Sequence, residues 1–356
     1  MKVLMLVNWK IKYCKRKPVD KQPADYYAED APYWFYRYFK KIPEVDVVDI
    51  SSFKWLEDFE KKKLRFYIWQ TLRVIPRLKK YDLIISHGMQ SGIVLGLWRR
   101  IFKIKTKHIV FDIGSFNSAA ETGWALKLMQ FASKSLDGVI YHTSSQKNYY
   151  EQFFPWIIEK SQFIRFGIDF DFFDTMDLMK VKNKNQYMLC VGYAKRDWDT
   201  LIQAYQQMDT DIELRLVGHI EEKYKGIRGV EQVEFVPIRE LMAQIHAACF
   251  CILPLDSFQY SYGQMTLLQQ MALKKMVIAA RVPSLIDYVN ESKGVLFYQA
   301  RQIECCKEVL AEALQKGILY WNDMGKKAHN YIKYDCNEKI MAKDIERFLE
   351  KIYLEI

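Results

Sequence analysis

Residues 187–205 read YMLCVGYAKRDWDTLIQAY. An unbroken apolar run closes on Gly192, and the apolar positions then recur at Trp198, Leu201, Ile202 and Tyr205. A strand buried on both faces shows no alternation, whereas the spacing that follows is that of one helical face, so the stretch predicts a parallel strand running into a helix. The same unit recurs along the chain. In the first half the runs are KVLMLVN (2–8), DLIISHG (82–88), HIVFDIG (108–114) and GVIYHTS (138–144). In the second half, ELRLVG (213–218), VEFVP (233–237), CFCILPL (249–255) and MVIAA (276–280) follow the first. Two sets of βα units predict two doubly wound domains in tandem.

Length and composition agree with that division. The chain has 356 residues, beyond the size at which one core stays single, and 50% of them are apolar. Lys and Arg number 53 against 43 Asp and Glu, a net charge of +10 that favours anionic partners. The seven cysteines form no CxxC pair, which argues against zinc and redox motifs and for a reducing, cytoplasmic setting. No run of 18 apolar residues predicts a membrane span, and the apolar start is too short for a signal peptide. Nucleic-acid binding would rest on charge alone, since no helix-turn-helix, finger or RNP pattern occurs. None is expected.

Domain boundaries follow from composition. The expected division is 1–168, a linker at 169–184 rich in Lys and Asn, and 185–339. Residues 54–80 mix nine Lys or Arg with Trp55, Phe59, Phe66, Tyr67, Ile68 and Trp69. That pattern fits either a helix packed on the first sheet or a segment lying on an anionic membrane, peripheral and without a span.

Several stretches carry candidate chemistry. Gly192, Lys195 and Arg196 follow a strand end, where two cations suit a diphosphate, although a solvated basic turn has the same spacing. In SYGQMTLLQQMA (261–272), Gly263 precedes a helix whose first turn, through Gln264, Met265 and Thr266, offers free amides and a positive dipole end to an anion. Ser261 and Gln269 are spaced to touch different parts of one elongated ligand. His219 and Ile238 border the same region. In the first half Asn8, His87, Asp112 and His142 stand at strand ends, where an acid or imidazole orients or deprotonates a hydroxyl; Asp112 equally suits a turn cap. Two DxD triplets, Asp169-Phe170-Asp171 and Asp197-Trp198-Asp199, lie in the linker and at a helix start, which argues against a required metal.

The order RFGIDFDFF (165–173), VGYAKRDWDTLIQAY (191–205), VEFVPIRELMAQIHAACFCILPL (233–255), LLQQMALKKMVIAARVPSLIDYV (267–289) and GVLFY (294–298) resembles family-4 glycosyltransferases. The resemblance covers about 138–350. It implies an α/β GT-B fold of two Rossmann-like domains facing across a cleft, acceptor on the first and nucleotide sugar on the second, with the helix at about 340–356 returning to the first. It implies sugar transfer with retention from a UDP- or GDP-sugar, no further cofactor, and a glycan or lipid-linked acceptor in bacterial surface polysaccharide or glycoconjugate biosynthesis. Lys195 and Arg196 match the basic position that holds the donor diphosphate. Where the family has Glu, seven residues, Glu, this chain has Ser261 and Gln269, so Gln264 is expected to take over the sugar contact. The replaced acids also suit a catalytically silent sugar-nucleotide-binding or partner subunit.

Overall fold

The computed structural model describes residues 1–354 except 115, 117–120, 176–185 and 219. The chain divides into two compact units. The first comprises Met1–Arg165, Gln259–Tyr262 and Lys339–Ile356, and the second Phe166–Phe258 and Gly263–Glu338.

The first unit contains β1 (Lys2–Val7), β2 (Lys12–Cys14), β3 (Tyr26–Ala28), β4 (Glu44–Val48), β5 (Leu83–His87), β6 (Lys107–Asp112), β7 (Gly138–Tyr141) and β8 (Ser161–Phe163). Its helices are α1 (Lys54–Phe59), α2 (Ile68–Val74), α3 (Met89–Phe102), α4 (Trp124–Ser133) and α5 (Gln146–Phe153). The main sheet is parallel, in the order β4-β1-β5-β6-β7-β8, and β2-β3 is a separate parallel pair. Its central strands are buried throughout because both faces are covered. On one face Leu4, Leu6, Val48, Ile84 and Leu95 pack with Val74 and Leu78, and further along Val110, Val139, Ile93, Leu126 and Met129 continue the core.

The second unit contains β9 (Tyr187–Gly192), β10 (Glu213–Gly218), β11 (Val230–Val233), β12 (Cys251–Leu253), β13 (Val277–Arg281) and β14 (Val295–Gln299). They lie parallel in the order β11-β10-β9-β12-β13-β14. The helices are α6 (Phe170–Asp174), α7 (Trp198–Gln206), α8 (Ile238–Ala247), α9 (Gln264–Ala272), α10 (Pro283–Ile286) and α11 (Ile303–Asp335), the last broken at Gly317. Then α12 (Glu338–Leu354), counted with the first unit from Lys339 onward, buries Met341, Ile345, Phe348, Leu349 and Ile352. A Cβ on Gly138 of β7 would stand 2.6 Å from Ile352 Cδ1, so this glycine lets α12 lie close on the sheet.

The observed division departs from the expected one in three places. The boundary falls at Arg165, not 168; within the expected linker, Phe170–Asp174 is a helix of the second unit; and Gln259–Tyr262 is counted with the first unit. The linker expected at 176–184 lies outside the described residues. Each sheet also fixes a crevice. Strand order reverses between β1 and β5 in the first unit and between β9 and β12 in the second. Ligands of open α/β sheets bind at such points, outside the carboxyl ends of the strands.

Candidate functional site

In the second unit the β9 end is built around an arginine. A Cβ on Gly192 would meet Arg196 Nε at 2.3 Å, so only glycine leaves the guanidinium its place. Arg196 Nε donates to the Val191 carbonyl at 3.0 Å, Nη1 to Ala194 O at 3.2 Å, and Nη2 reaches Thr266 Oγ1 at 3.4 Å. The backbone continues the tie: Arg196 bridges Leu255, and Asp197 N donates to Pro254 O at 3.0 Å. A delocalised cation is thereby fixed between the switch-point strands and the first turn of α9.

That turn opens on a glycine. Gly263 adopts φ +85, a left-handed conformation that costs other residues, and no side chain caps the helix. The amides of Gln264, Met265 and Thr266 therefore retain the partial positive charge of a helix start. Lys195, itself left-handed at φ +55, is exposed and holds its Nζ 4.7 Å over the Phe258 ring. Two cations, Lys195 and Arg196, and one helix start are groups of the kind that suit an anion with several oxygens.

Other expected donor residues are distributed differently. The Gln264 side chain is buried and its Nε2 donates to Ser284 O at 3.0 Å, tying α9 to α10. That bond directs the amide, expected to meet the sugar, at the protein's own backbone. Gln269 is likewise buried on the inner side of α9, Met265 is exposed, and Ile238 opens α8 half-buried. Ser261 is counted with the first unit. His219 lies outside the described residues. Sequence reasoning missed an exposed aromatic pair, Tyr193 and Phe235, whose ring centroids are 5.7 Å apart beside the β9 end. Their signal was an aromatic residue immediately after a strand.

The carboxylates of the second triplet are bonded within the fold. Asp197 accepts from Thr200 N at 3.1 Å and Thr200 Oγ1 at 2.6 Å, capping α7, while Asp199 accepts from Tyr224 OH at 2.6 Å. No group of three metal-ligating side chains occurs among the described residues.

In the first unit the switch point between β1 and β5 brings Asn8 and His87 together: a Cβ on Gly88 (φ +102) would meet Asn8 Nδ2 at 2.9 Å. His87 packs edge-on against Trp9, 4.7 Å between centroids, and lies 5.5 Å from Trp34 and 5.6 Å from Phe111. His142 Nδ1 donates to Ile164 O at 2.6 Å. Burial pushes the His87 imidazole down to about 3, helped by His142, and His142 itself to about 4. Both rings are neutral at pH 7, so they supply hydrogen bonds and apolar contact and take up no second proton in the working range.

Asp112, expected at a strand end as a base or a turn cap, is held by the protein's own donors. Its carboxylate is fully buried and accepts from Gly114 N at 3.0 Å, Phe116 N at 3.4 Å, Gln146 Nε2 at 3.0 Å and Tyr150 OH at 2.5 Å. Burial, with the carboxylate, raises the Tyr150 phenol well above its ordinary value. Four donors occupy both oxygens, which makes Asp112 the anchor of the loop after β6 and leaves it ill placed to take a substrate proton.

Comparison with known proteins agrees with this architecture. Residues 185–316 match the family model of glycosyl transferases group 1. A sucrose-phosphate synthase from Thermosynechococcus elongatus superposes with a TM-score of 0.70 at 14% identity, covering 100% of each chain. A glycosyltransferase from Rickettsia africae gives 0.70 at 13% identity, over 99% of this chain and 98% of that one. Anabaena HepE in complex with UDP-glucose gives 0.68 at 14%, over 99% and 100%. No curated protein sequence matches the chain. The fold is GT-B.

Proposed function

We propose, from the premise that this chain is a GT-B glycosyltransferase whose residues 185–316 form a group 1 domain, that it moves a sugar from a UDP- or GDP-sugar to a glycan or lipid-linked acceptor with retention of configuration. Surface polysaccharide or glycoconjugate synthesis is the setting, and residues 54–80 rest on an anionic membrane. No metal takes part. The observation that carries the donor reading is Arg196, fixed by three hydrogen bonds and aimed at the uncapped start of α9.

When the anomeric bond breaks, negative charge collects on the departing diphosphate. Arg196, Lys195 and the amides at Gln264 to Thr266 stabilise that charge with donors already in position, so little reorganisation is needed at the moment of transfer. Acceptor chemistry falls to the first unit, where Asn8, His87 and His142 line the strand ends and orient a hydroxyl. Bound UDP-glucose in Anabaena HepE supports a nucleoside-diphosphate sugar as donor.

The silent-subunit reading is favoured by one observation: Gln264, the residue expected to replace the missing acid, is bound to Ser284 O. Thermal stability of the purified protein against UDP-, GDP-, dTDP- and CMP-sugars, beside Arg196→Ala, tests the donor reading. A rise with one nucleotide family that the variant loses supports it. No shift with any of them removes it, and a shift without slow donor hydrolysis selects the silent subunit.

A further inference from the structure

We infer that Trp9 is the surface on which the acceptor's sugar ring stacks, with Asn8 and the His87 imidazole beside it to meet ring hydroxyls. The identity of the ligand rests on the glycosyltransferase reading, whereas the site rests on the first unit alone. β1 ends at Val7, and Asn8 and Trp9 leave it at the carboxyl edge, beside the point where strand order reverses. In the second unit β9 runs into helix α7, but β1 runs into β2, β3 and short 3-10 turns before β4, with no α-helix between. This segment folds back on the strand end. Trp9 Nε1 donates to Ala24 O at 2.9 Å, and Tyr33 OH to the same carbonyl at 3.0 Å. Ile11 N donates to Oδ2 of the buried Asp49 at 3.1 Å, which fixes the chain just past the indole.

Three contacts hold the indole, and it is still only half-buried. Besides the bond to Ala24 it meets Trp34 at 5.8 Å and 85° and His87 at 4.7 Å and 87°, both edge-to-face. Trp34 is buried at φ +44, a left-handed conformation that a bulky residue rarely adopts. Strain of this kind persists where surrounding contacts over-determine it, and it gathers at ligand sites. His87 supplies the polar part. It is buried, and among the described residues its Nδ1 meets no hydrogen-bond partner outside its own residue. A buried nitrogen left so is unfavourable, and a ligand hydroxyl would satisfy it. These features together name the ligand. A pyranose presents C–H bonds on one face and hydroxyls around its rim; the first suit the negative face of an indole, the second Asn8 and His87. An acyl chain would cover the indole but leave the imidazole nitrogen and the Asn8 amide facing hydrocarbon.

Protein labelled with 5-fluorotryptophan tests the inference. The chain has nine tryptophans, and the fluorine resonance of Trp9 is assigned by its absence in Trp9→Phe. The titrants are the methyl pyranosides of glucose, galactose, mannose and N-acetylglucosamine, with sorbitol as a polyol that has no ring. Expected is a saturable shift of the Trp9 resonance by at least one pyranoside and none by sorbitol. Affinity for that pyranoside should fall about tenfold in Trp9→Ala and stay within about threefold of the parent in Trp9→Phe, which keeps an aromatic face. A merely structural Trp9 would give equal losses, because both variants forfeit the bond to Ala24 O. Equal losses, a Trp9 resonance that no pyranoside moves, or one that sorbitol moves as far, overturns the inference. Should Trp9→Ala unfold, titration of the labelled wild-type protein alone decides. Donor-induced thermal shifts in the same preparation keep the two readings apart. Donor stabilisation with a silent Trp9 resonance sinks the acceptor surface alone, and a Trp9 shift without donor stabilisation sinks the donor reading and leaves the stacking surface standing.

Discussion

Replacing Asp112 with asparagine separates a structural carboxylate from a catalytic one. Asn retains a single carbonyl oxygen, enough for the amides of Gly114 and Phe116, but turns an NH2 towards Gln146 Nε2 and Tyr150 OH, which are donors in the parent. Gln146 can flip to offer its oxygen. It then forfeits the 3.0 Å bond from Nε2 to the Asp112 carbonyl. The net loss is one hydrogen bond to a charged acceptor, worth roughly 1.5–3 kcal/mol, and about one neutral bond, roughly 1 kcal/mol more. A destabilisation of about 2.5–4 kcal/mol follows, and in a unit of this size each kcal/mol lowers the midpoint by about 2–4 °C. Thermal unfolding followed by tryptophan fluorescence should therefore show the first unit melting about 5–15 °C earlier, while donor turnover below the transition falls only modestly. Tyr150→Phe should couple to Asp112→Asn by about 1 kcal/mol or more in a double-mutant cycle, because the two share one bond. A variant that melts within a degree of the parent yet has lost turnover would refute the reasoning and return Asp112 to the chemistry.

Acid should weaken the first unit through its buried imidazoles. His87 and His142 ionise near 3 and 4 when folded and near 6.5 when unfolded, so the unfolded chain binds protons first as pH falls. Their contribution is complete above pH 6.5 and is lost towards pH 4 and 3, with a slope of about 2.7 kcal/mol per pH unit where both act; urea midpoints at pH 7, 6 and 5 measure it, and His87→Gln should flatten the curve. Gly192→Ala should displace the Arg196 guanidinium and weaken donor binding about tenfold or more; equal donor response in variant and parent would dismiss the arginine site. Truncation after residue 338 should expose Ile345, Phe348 and Ile352 and bring the first unit to partial unfolding, seen as dye binding at 25 °C. An unchanged melt would mean that α12 is dispensable.

The strands were legible because burial on both faces imposes unbroken Val, Ile and Leu runs, and Gly192, Gly263 and Gly88 mark real chain requirements at the crevices. What escaped sequence reading depends on neighbours distant in the chain. Nothing in the spacing says that Gly192 vacates space for Arg196, or that Gln264 finds the Ser284 carbonyl, since each is a tertiary coincidence of side-chain reach. Asp112 stood at a strand end, and only the arrival of Tyr150 and Gln146 from α5 made it an anchor. The surroundings of Trp9 were also hidden. Spacing puts it just past a strand end, and its contacts with Trp34 and His87 emerge only once the segment after β1 is known to fold back on that end.

The return of α12 to the first sheet has a consequence during synthesis. Gly138 and its neighbours emerge from the ribosome long before Phe348 and Ile352, with Phe166–Glu338, the whole second unit together with the first unit's Gln259–Tyr262, made in between. At about 5–20 residues per second, roughly ten to forty seconds pass in which one side of the first sheet lacks its cover. The second unit is thus ready to fold on the nascent chain before the first is complete. A premature stop or a bulky carboxyl-terminal tag would act on the amino-terminal half of the protein, leaving an apolar sheet face for chaperones to shield.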